Sequence, residues 1–279
     1  MSKTRILFIN TEVEPYMPSG HLADLGRMLP QAIQESGHEI RIFMPRFGTI
    51  NERRNQLHEV IRLSGANLII NEADHPLIIK VASLMPQRIQ VYFIDNEDYF
   101  TQREVYCDSD GNEYPDQVER CLFFARGVAE TVRKLRWTPD VIYCQGWFAA
   151  VAPLYLKKAL GEDPCFRNAK IVLGLYNNAF ATPWPSSTSH TLKVDGVTKA
   201  DLAEIKDKTL DHTALCKFAL KFCDGAIITD AGIAPDLVDI VKNSGKPILD
   251  VSDQQDIDAK AYSDYFESFF PKDSDNEEE

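Results

Sequence analysis

Continuous apolar segments of strand length recur along this chain, and a loop and a helical stretch follow each of them. Examples are residues 6–9, 141–144, 171–175 and 226–229. Strands that are apolar on both sides are typical of parallel sheets whose two faces are covered by helices. The order of elements therefore predicts an α/β fold with a doubly wound, mostly parallel sheet. Ligands of such sheets bind beyond the carboxyl ends of the strands.

Helical periodicity is clearest over residues 116–136, where apolar side chains recur at steps of three and one. A first helix is predicted over residues 22–36, kinked at Pro30 and ended by Gly37. Short strands are predicted at residues 39–44, 68–70, 77–82 and 89–94. A long polar loop is predicted at 178–199, and a terminal helix near 259–270.

The negative charge is concentrated at the C-terminal end. The formal net charge is −12, and residues 250–279 alone hold eleven acidic residues against two lysines. No clustered basic face is present in the sequence, so a nucleic-acid partner is not predicted. We expect one domain over residues 1–270, followed by an acidic disordered tail at 271–279.

Membrane, secretion and metal signals are weak in this sequence. No apolar stretch approaches the ~18 residues that a spanning helix needs. The apolar run after Arg5 is too short for a signal peptide. The six cysteines are dispersed, without a Cys-x-x-Cys pair, so we expect reduced thiols and no metal site. Together these features predict a cytoplasmic protein that does not associate with membranes.

Residues 12–24 form a strand–turn–helix connection of the kind that cradles phosphates. They resemble the N-terminal signature of bacterial glycogen synthases and plant starch synthases (glycosyltransferase family five), Glu-Val-x-Pro-Tyr-x-Lys-Thr-Gly-Gly-Leu-Gly-Asp. The chain matches that pattern at Glu12, Val13, Pro15, Tyr16, Gly20, Leu22 and Asp24.

Two of the positions that differ from this signature bear most on its chemistry. Pro18 stands where the family has lysine, and His21 stands where it has a second glycine. Proline removes both a positive charge and a backbone N–H, and histidine adds a side chain where the backbone would otherwise approach a ligand closely. The turn at residues 12–24 has therefore lost much of its capacity to bind phosphate. The alternative is that these residues serve only as a structural connection between a strand and a helix.

A second stretch, residues 139–147, resembles the family pattern Pro-Asp-Val-x-His-x-His-Asp-Trp. Gln145 replaces the histidine that lines the donor-sugar site in active members, Gly146 replaces the aspartate, and Trp147 is retained. Glutamine can bond a sugar hydroxyl but does not titrate near neutral pH. Trp147 is either a sugar platform or a core residue at a helix start.

A third stretch ends a predicted strand, where the family has Ile-His-Asn. Tyr176 replaces the histidine and Asn177 is retained. Asn177 is suited to a glucan hydroxyl or, alternatively, to loop backbone groups. Tyr176, Phe180 and Trp184 are predicted to form either an aromatic face for stacking sugars or a core under a long loop. Farther along, Asp230 stands where serine is usual in the family.

The resemblance covers residues 4 to about 250 and implies the Rossmann-like N-terminal half of a GT-B glycosyltransferase. Active members transfer glucose from ADP-glucose to an α-1,4-glucan with retention. In that family the C-terminal domain supplies most ADP-glucose contacts, and these 279 residues contain no counterpart. We therefore expect a glucan-binding or regulatory module that is weakly active or inactive alone. One alternative is an active transferase completed by a separate C-terminal half, and another is an unrelated role on the same fold.

The resemblance also indicates ligands and partners. We expect an α-glucan or maltooligosaccharide, and a protein partner or a second copy of the chain. No cofactor is predicted, because ADP-glucose is the family's donor substrate. No catalytic residue is assigned, and the predicted substrate-binding positions are Pro18, Ser19, Gly20, His21, Asp24, Gln145, Trp147, Tyr176 and Asn177.

Overall fold

The computed structural model describes residues 3–254 and 256–271 of the chain. Ten strands form one sheet. Their bounds are β1 Arg5–Ile9, β2 Glu39–Pro45, β3 His58–Glu59, β4 Ala66–Ile70, β5 Ala73–Leu84, β6 Ile89–Asp95, β7 Val141–Gln145, β8 Lys170–Leu175, β9 Gly225–Ile228 and β10 Ile248–Asp250. The strand order is β10-β9-β8-β7-β1-β2-β6-β5-β3, and β4 pairs with β5 alone.

The seven strands from β10 to β6 in this order are all parallel. The hairpin strands β5, β3 and β4 add antiparallel pairs at one edge. The prediction of a mostly parallel α/β sheet is therefore confirmed. From β1 the chain runs to β2 on one side, and β7 later pairs on the other side. This reversal of strand order creates a crevice beyond the carboxyl ends of β1 and β7.

Helices cover the sheet in two packed groups. Their bounds are α1 His21–Glu35, α2 Gln117–Leu135, α3 Ala152–Leu154, α4 Thr188–Thr191, α5 His212–Leu220, α6 Pro235–Lys242 and α7 Ala259–Glu267. Short helical turns also occur at Glu97–Thr101, Trp147–Ala149 and Tyr155–Ala159. Helix α1 packs against α7, whereas α2, α3, α5 and α6 contact one another in succession. The strands between these groups are almost completely buried.

The segment predicted as a polar loop, residues 178–199, is more ordered than its composition indicates. It contains α4, and the side chains of Trp184, Leu192 and Val197 are buried within it. Trp184 and Leu210 exchange both backbone hydrogen bonds, at 2.8 and 3.0 Å. A few apolar side chains spaced among polar ones are thus enough to fix this segment. The plain-loop prediction is wrong for its second half.

Other sequence predictions concern the ends and surface of the molecule. Apart from Pro271, the predicted acidic tail lies outside the described residues, and the single-domain boundary stays a prediction. None of the helices in the described part of the chain is long and apolar enough to cross a membrane. Among those same residues, no three His, Cys, Asp or Glu side chains gather closely enough to hold a metal ion.

Candidate functional site

The turn between β1 and α1 is fastened to the end of β7 through the buried side chain of Gln145. Its Oε1 accepts the N–H of Thr11 at 3.1 Å, and its Nε2 donates to the carbonyl of Leu22 at 3.0 Å. Both ends of the amide are thus bonded to backbone groups. Gln145 therefore holds the turn in place. That its side chain also contacts a ligand stays a prediction.

The residues that lead into α1 form the accessible part of the predicted phosphate motif. Pro18, Ser19, Gly20 and His21 are all exposed. Ser19 Oγ donates to the Asp24 carboxylate at 3.0 Å, so these two motif residues bond each other. No side chain caps the first turn of α1, where Gly20 is the N-cap residue. The motif is therefore open to solvent. Among residues 12–24, His21 is the one side chain that can carry a positive charge.

A contact that the sequence analysis missed links this turn to the end of β9. His21 Nε2 lies 3.1 Å from Asp230 Oδ1. The other carboxylate oxygen of Asp230 accepts the backbone N–H of Asn177 at 3.0 Å, whereas the hydroxyl of the neighbouring Thr229 donates to the carbonyl of Leu175 at 2.5 Å. One carboxylate thus connects three segments at the rim of the crevice. The unusual Asp230 was visible in the sequence, but its partners depend on the strand order.

Tyr176 lies beneath this rim. Its ring centroid is 6.1 Å from that of His21, and its hydroxyl is 2.7 Å from the hydroxyl of Tyr143. Both tyrosines are buried, and burial raises the pKa of Tyr176 to about 12. Tyr143 also stands at a histidine of the family pattern, so two altered positions have become hydrogen-bond partners. Both hydroxyls are neutral near pH 7.

An aromatic wall of packed rings lies beyond the carboxyl end of β7, at the same edge of the sheet. Trp147 lies 5.2 Å from Tyr106 and 5.0 Å from Phe180 between ring centroids. Phe180 stacks on Trp184 at 5.7 Å and 15°. Both tryptophans are buried, whereas Phe180 is half-buried. The three aromatic residues predicted to act together are therefore split. Phe180 and Trp184 pack on each other, whereas Tyr176 lies beside His21.

Several polar atoms in the aromatic wall have no hydrogen-bond partner among the described residues. They are the indole nitrogens of Trp147 and Trp184 and both amide atoms of Asn178. Asn178 also lies close to Gly146, where a Cβ atom would stand 3.0 Å from its Nδ2. Buried polar atoms without partners cost roughly 1–3 kcal/mol each. These atoms are themselves buried, so the half-buried ring of Phe180 is the part of this wall that a ligand can reach directly.

Glu12 and Tyr106 are two further residues that the sequence analysis did not assign to the site. The Tyr106 hydroxyl donates to Glu12 Oε1 at 2.9 Å. Burial raises the pKa of the Glu12 carboxyl, and the Tyr106 hydrogen bond opposes this rise. Burial also raises the pKa of Tyr106 well above its ordinary value. The position of Glu12 directly after the first strand was the available signal.

The predicted site residues therefore fall into two sets. An exposed rim comprises Pro18, Ser19, Gly20, His21 and Asn177, with Asp24 half-buried beside it. A buried floor comprises Gln145, Trp147 and Tyr176. Both sets lie at the carboxyl ends of β1, β7 and β8, but only the rim is directly accessible. As ligand contacts, all nine stay predictions.

A cavity of about 190 Å³ opens between the rim and helix α7. Its lining includes His21, Asp24, Thr229, Asp256 and Tyr262. No lysine or arginine contributes to this lining among the residues that the structure describes. The cavity is therefore poorly suited to a diphosphate, which needs positive charge or free N–H donors.

Comparison with known proteins gives a consistent result. The family model described as "Starch synthase catalytic domain" matches residues 5–241. Glycogen synthase from Chlorobium luteolum is 39% identical over 174 residues, which are 62% of this chain and 36% of that protein. Glycogen synthase from Chlorobium chlorochromatii is 35% identical over 219 residues, covering 76% of this chain and 45% of the relative. The chain thus spans less than half the length of these relatives.

One solved structure extends the comparison to the fold. The catalytic domain of starch synthase IV from Arabidopsis thaliana, bound to ADP and acarbose, superposes with a TM-score of 0.71. The match covers 89% of this chain and 51% of that chain, at 17% sequence identity. At that identity the likeness concerns the fold, which agrees with the predicted Rossmann-like half of a GT-B protein.

Proposed function

The chain belongs to the starch synthase catalytic domain family, and from that premise we propose that it is a glucan-binding or regulatory module of glucan metabolism. It binds an α-glucan or maltooligosaccharide beyond the carboxyl ends of β1, β7 and β8. Its own capacity to transfer glucose from ADP-glucose is weak or absent. The chain acts together with a protein partner or a second copy of itself.

The aromatic wall is the observation that carries this proposal. Phe180 is half-buried and stacked on Trp184, and Trp147 lies behind both rings. Sugars bind proteins through an aromatic face combined with neutral hydrogen-bond groups. The exposed Asn177 adds an amide at the rim.

The weak-transfer part of the proposal depends on charge. Glucosyl transfer from a nucleotide sugar requires stabilisation of the departing diphosphate by cations or aimed N–H groups. In this chain Pro18 replaces the lysine of the motif, and the His21 imidazole is already paired with Asp230. The described rim therefore offers little that would stabilise a leaving diphosphate.

Affinity electrophoresis in gels that contain glycogen tests the binding site. We expect the wild-type chain to be retarded, and Phe180→Ala to weaken binding about fivefold to tenfold, since an aromatic contact contributes roughly 1 kcal/mol. Asn177→Ala should weaken it in the same direction. Asn243→Ala, an exposed asparagine at the end of α6, is the matched control and should migrate as wild type.

The outcomes of that assay separate the hypotheses. If glycogen does not retard the wild-type chain, the glucan-binding proposal is wrong and a role through a protein partner is favoured. If all variants are retarded equally, glucan binds elsewhere on the surface. A parallel assay should detect no glucose transfer from ADP-glucose to glycogen by the 279-residue chain. Sustained turnover would instead favour the active transferase.

A further inference from the structure

The rim of the crevice contains a carboxylate at the place where an anionic ligand would meet the protein. Asp230 lies at the end of β9 and reaches across to the first residue of α1. Parallel sheets place phosphate groups in this region, beyond the strand ends and near a helix N-terminus. An acidic side chain there is the reverse of what phosphate binding requires.

The donors at this rim are already bound by the same carboxylate. Oδ1 of Asp230 pairs with His21 Nε2 at 3.1 Å, and Oδ2 accepts the Asn177 N–H at 3.0 Å. The hydroxyl of Thr229 is not among these donors, because it donates to the carbonyl of Leu175 at 2.5 Å. An imidazole and a backbone N–H are groups that a phosphate oxygen would use. Asp230 therefore occupies these donors in place of a ligand anion.

The charges around this carboxylate reinforce its effect. Asp24 and Asp256 line the adjoining cavity, and no lysine or arginine does so among the described residues. The nearest arginine on α1, Arg27, pairs with Glu14. A phosphate that approached His21 would meet three carboxylates and one imidazole that is already paired. An uncharged ligand would meet no such repulsion.

We propose that Asp230 is a specificity-determining residue, which excludes nucleotide diphosphates from the rim and reserves the crevice for uncharged ligands. It does so by removing two donors, the His21 imidazole and the Asn177 N–H, from a ligand anion and by adding a negative charge at the same point. The inference rests on the proposed function only for the identity of the uncharged ligand. Replacing Asp230 by serine, the usual family residue at this position, would release His21 and Asn177 together.

Calorimetric titration of the full 279-residue chain with ADP, and separately with pyrophosphate, tests this role. We expect very weak binding by the wild-type chain and at least about tenfold tighter binding by Asp230→Ser, or roughly 1.4 kcal/mol. Asp230→Asn keeps an acceptor for the Asn177 N–H but loses the charge, and it should give a smaller gain. Asp239→Ser removes an equal charge from an exposed position on α6 and should bind as wild type.

Three results would overturn the inference. They are tight ADP binding by the wild-type chain, no gain in either folded Asp230 variant, or an equal gain in Asp239→Ser, which would indicate net charge alone. Glycogen retardation is measured on the same proteins. If glycogen does not retard the wild-type chain but Asp230→Ser binds ADP more tightly, the proposed function is refuted and this inference stands.

Discussion

At the scale of single residues, positions that depart from the family pattern have become partners of one another. His21 pairs with Asp230, and Tyr143 pairs with Tyr176 through their hydroxyls. Tyr143 and Tyr176 replace titratable histidines, His21 and Asp230 replace glycine and serine, and each new contact is internal to the protein. The altered positions therefore form a bonded arrangement, which a set of unrelated losses would not explain.

Glu12 gives a prediction at this scale. Burial raises its pKa above the ordinary value of 4.5, so the folded state holds the proton more tightly than the unfolded state. Its contribution to the free energy of unfolding therefore falls as the pH rises from 4.5 through the folded pKa. Tyr106→Phe removes the hydrogen bond that lowers this pKa, so the pKa should rise further.

Carboxyl-resolved NMR titration of the wild-type chain and Tyr106→Phe would measure both effects. Tyr92→Phe is the control, because the Tyr92 hydroxyl donates to Gln90 of the same strand, β6, rather than to Glu12. A Glu12 resonance that titrates below 4.5, or that does not shift in Tyr106→Phe, would contradict the description of this carboxyl.

At the scale of elements, the site depends on how closely α1 approaches the turn after β1. A Cβ atom at Gly26 would overlap the backbone carbonyl of Glu12, and Asn10 Nδ2 donates to the carbonyl of Gly26 at 3.1 Å. Gly20, which belongs to the recognisable motif, has no atom within 4 Å of its would-be Cβ. The glycine that the packing requires is thus not the one that the motif singles out.

Identical substitutions at these two glycines test this difference. Gly26→Ser should lower the free energy of unfolding by about 1–3 kcal/mol, because the helix must move away from the turn. Gly20→Ser should be neutral or slightly stabilising, since its backbone is extended at φ 179° and serine is a favoured N-cap residue. Urea denaturation of both variants measures the effect. Equal stabilities would show that α1 can shift without cost.

The same scale shows which elements the sequence could predict. Strands β1 and β7 to β9 were predicted because each is a nearly continuous apolar run that is buried on both faces, and β2 and β6 because most of their residues are apolar. Strands β3 and β10 contain two and three residues, too few for a periodic signal. The ordered part of 178–199 was missed because its packing depends on isolated apolar residues such as Leu192 and Val197. The His21–Asp230 contact was missed because only the strand order brings these segments together.

At the scale of the whole molecule, helix α7 packs against α1 and β10 although it lies beyond the residues that the family model matches. The Tyr265 hydroxyl donates to the carbonyls of Ala226 and Pro247 at 3.1 and 2.9 Å, and Phe266 is fully buried. Tyr262 of the same helix lines the cavity beside His21. The segment after residue 241 therefore contributes both to the core and to the boundary of the candidate site.

The whole crevice then combines an aromatic wall with neutral polar groups on one side and an acidic rim on the other. This combination favours an uncharged glucan over a nucleotide sugar. Isothermal titration of the 279-residue chain with maltoheptaose and, separately, with ADP-glucose tests that preference most directly. We expect saturable binding of maltoheptaose and at least about tenfold weaker binding of ADP-glucose. Tight binding of ADP-glucose without binding of maltoheptaose would contradict it.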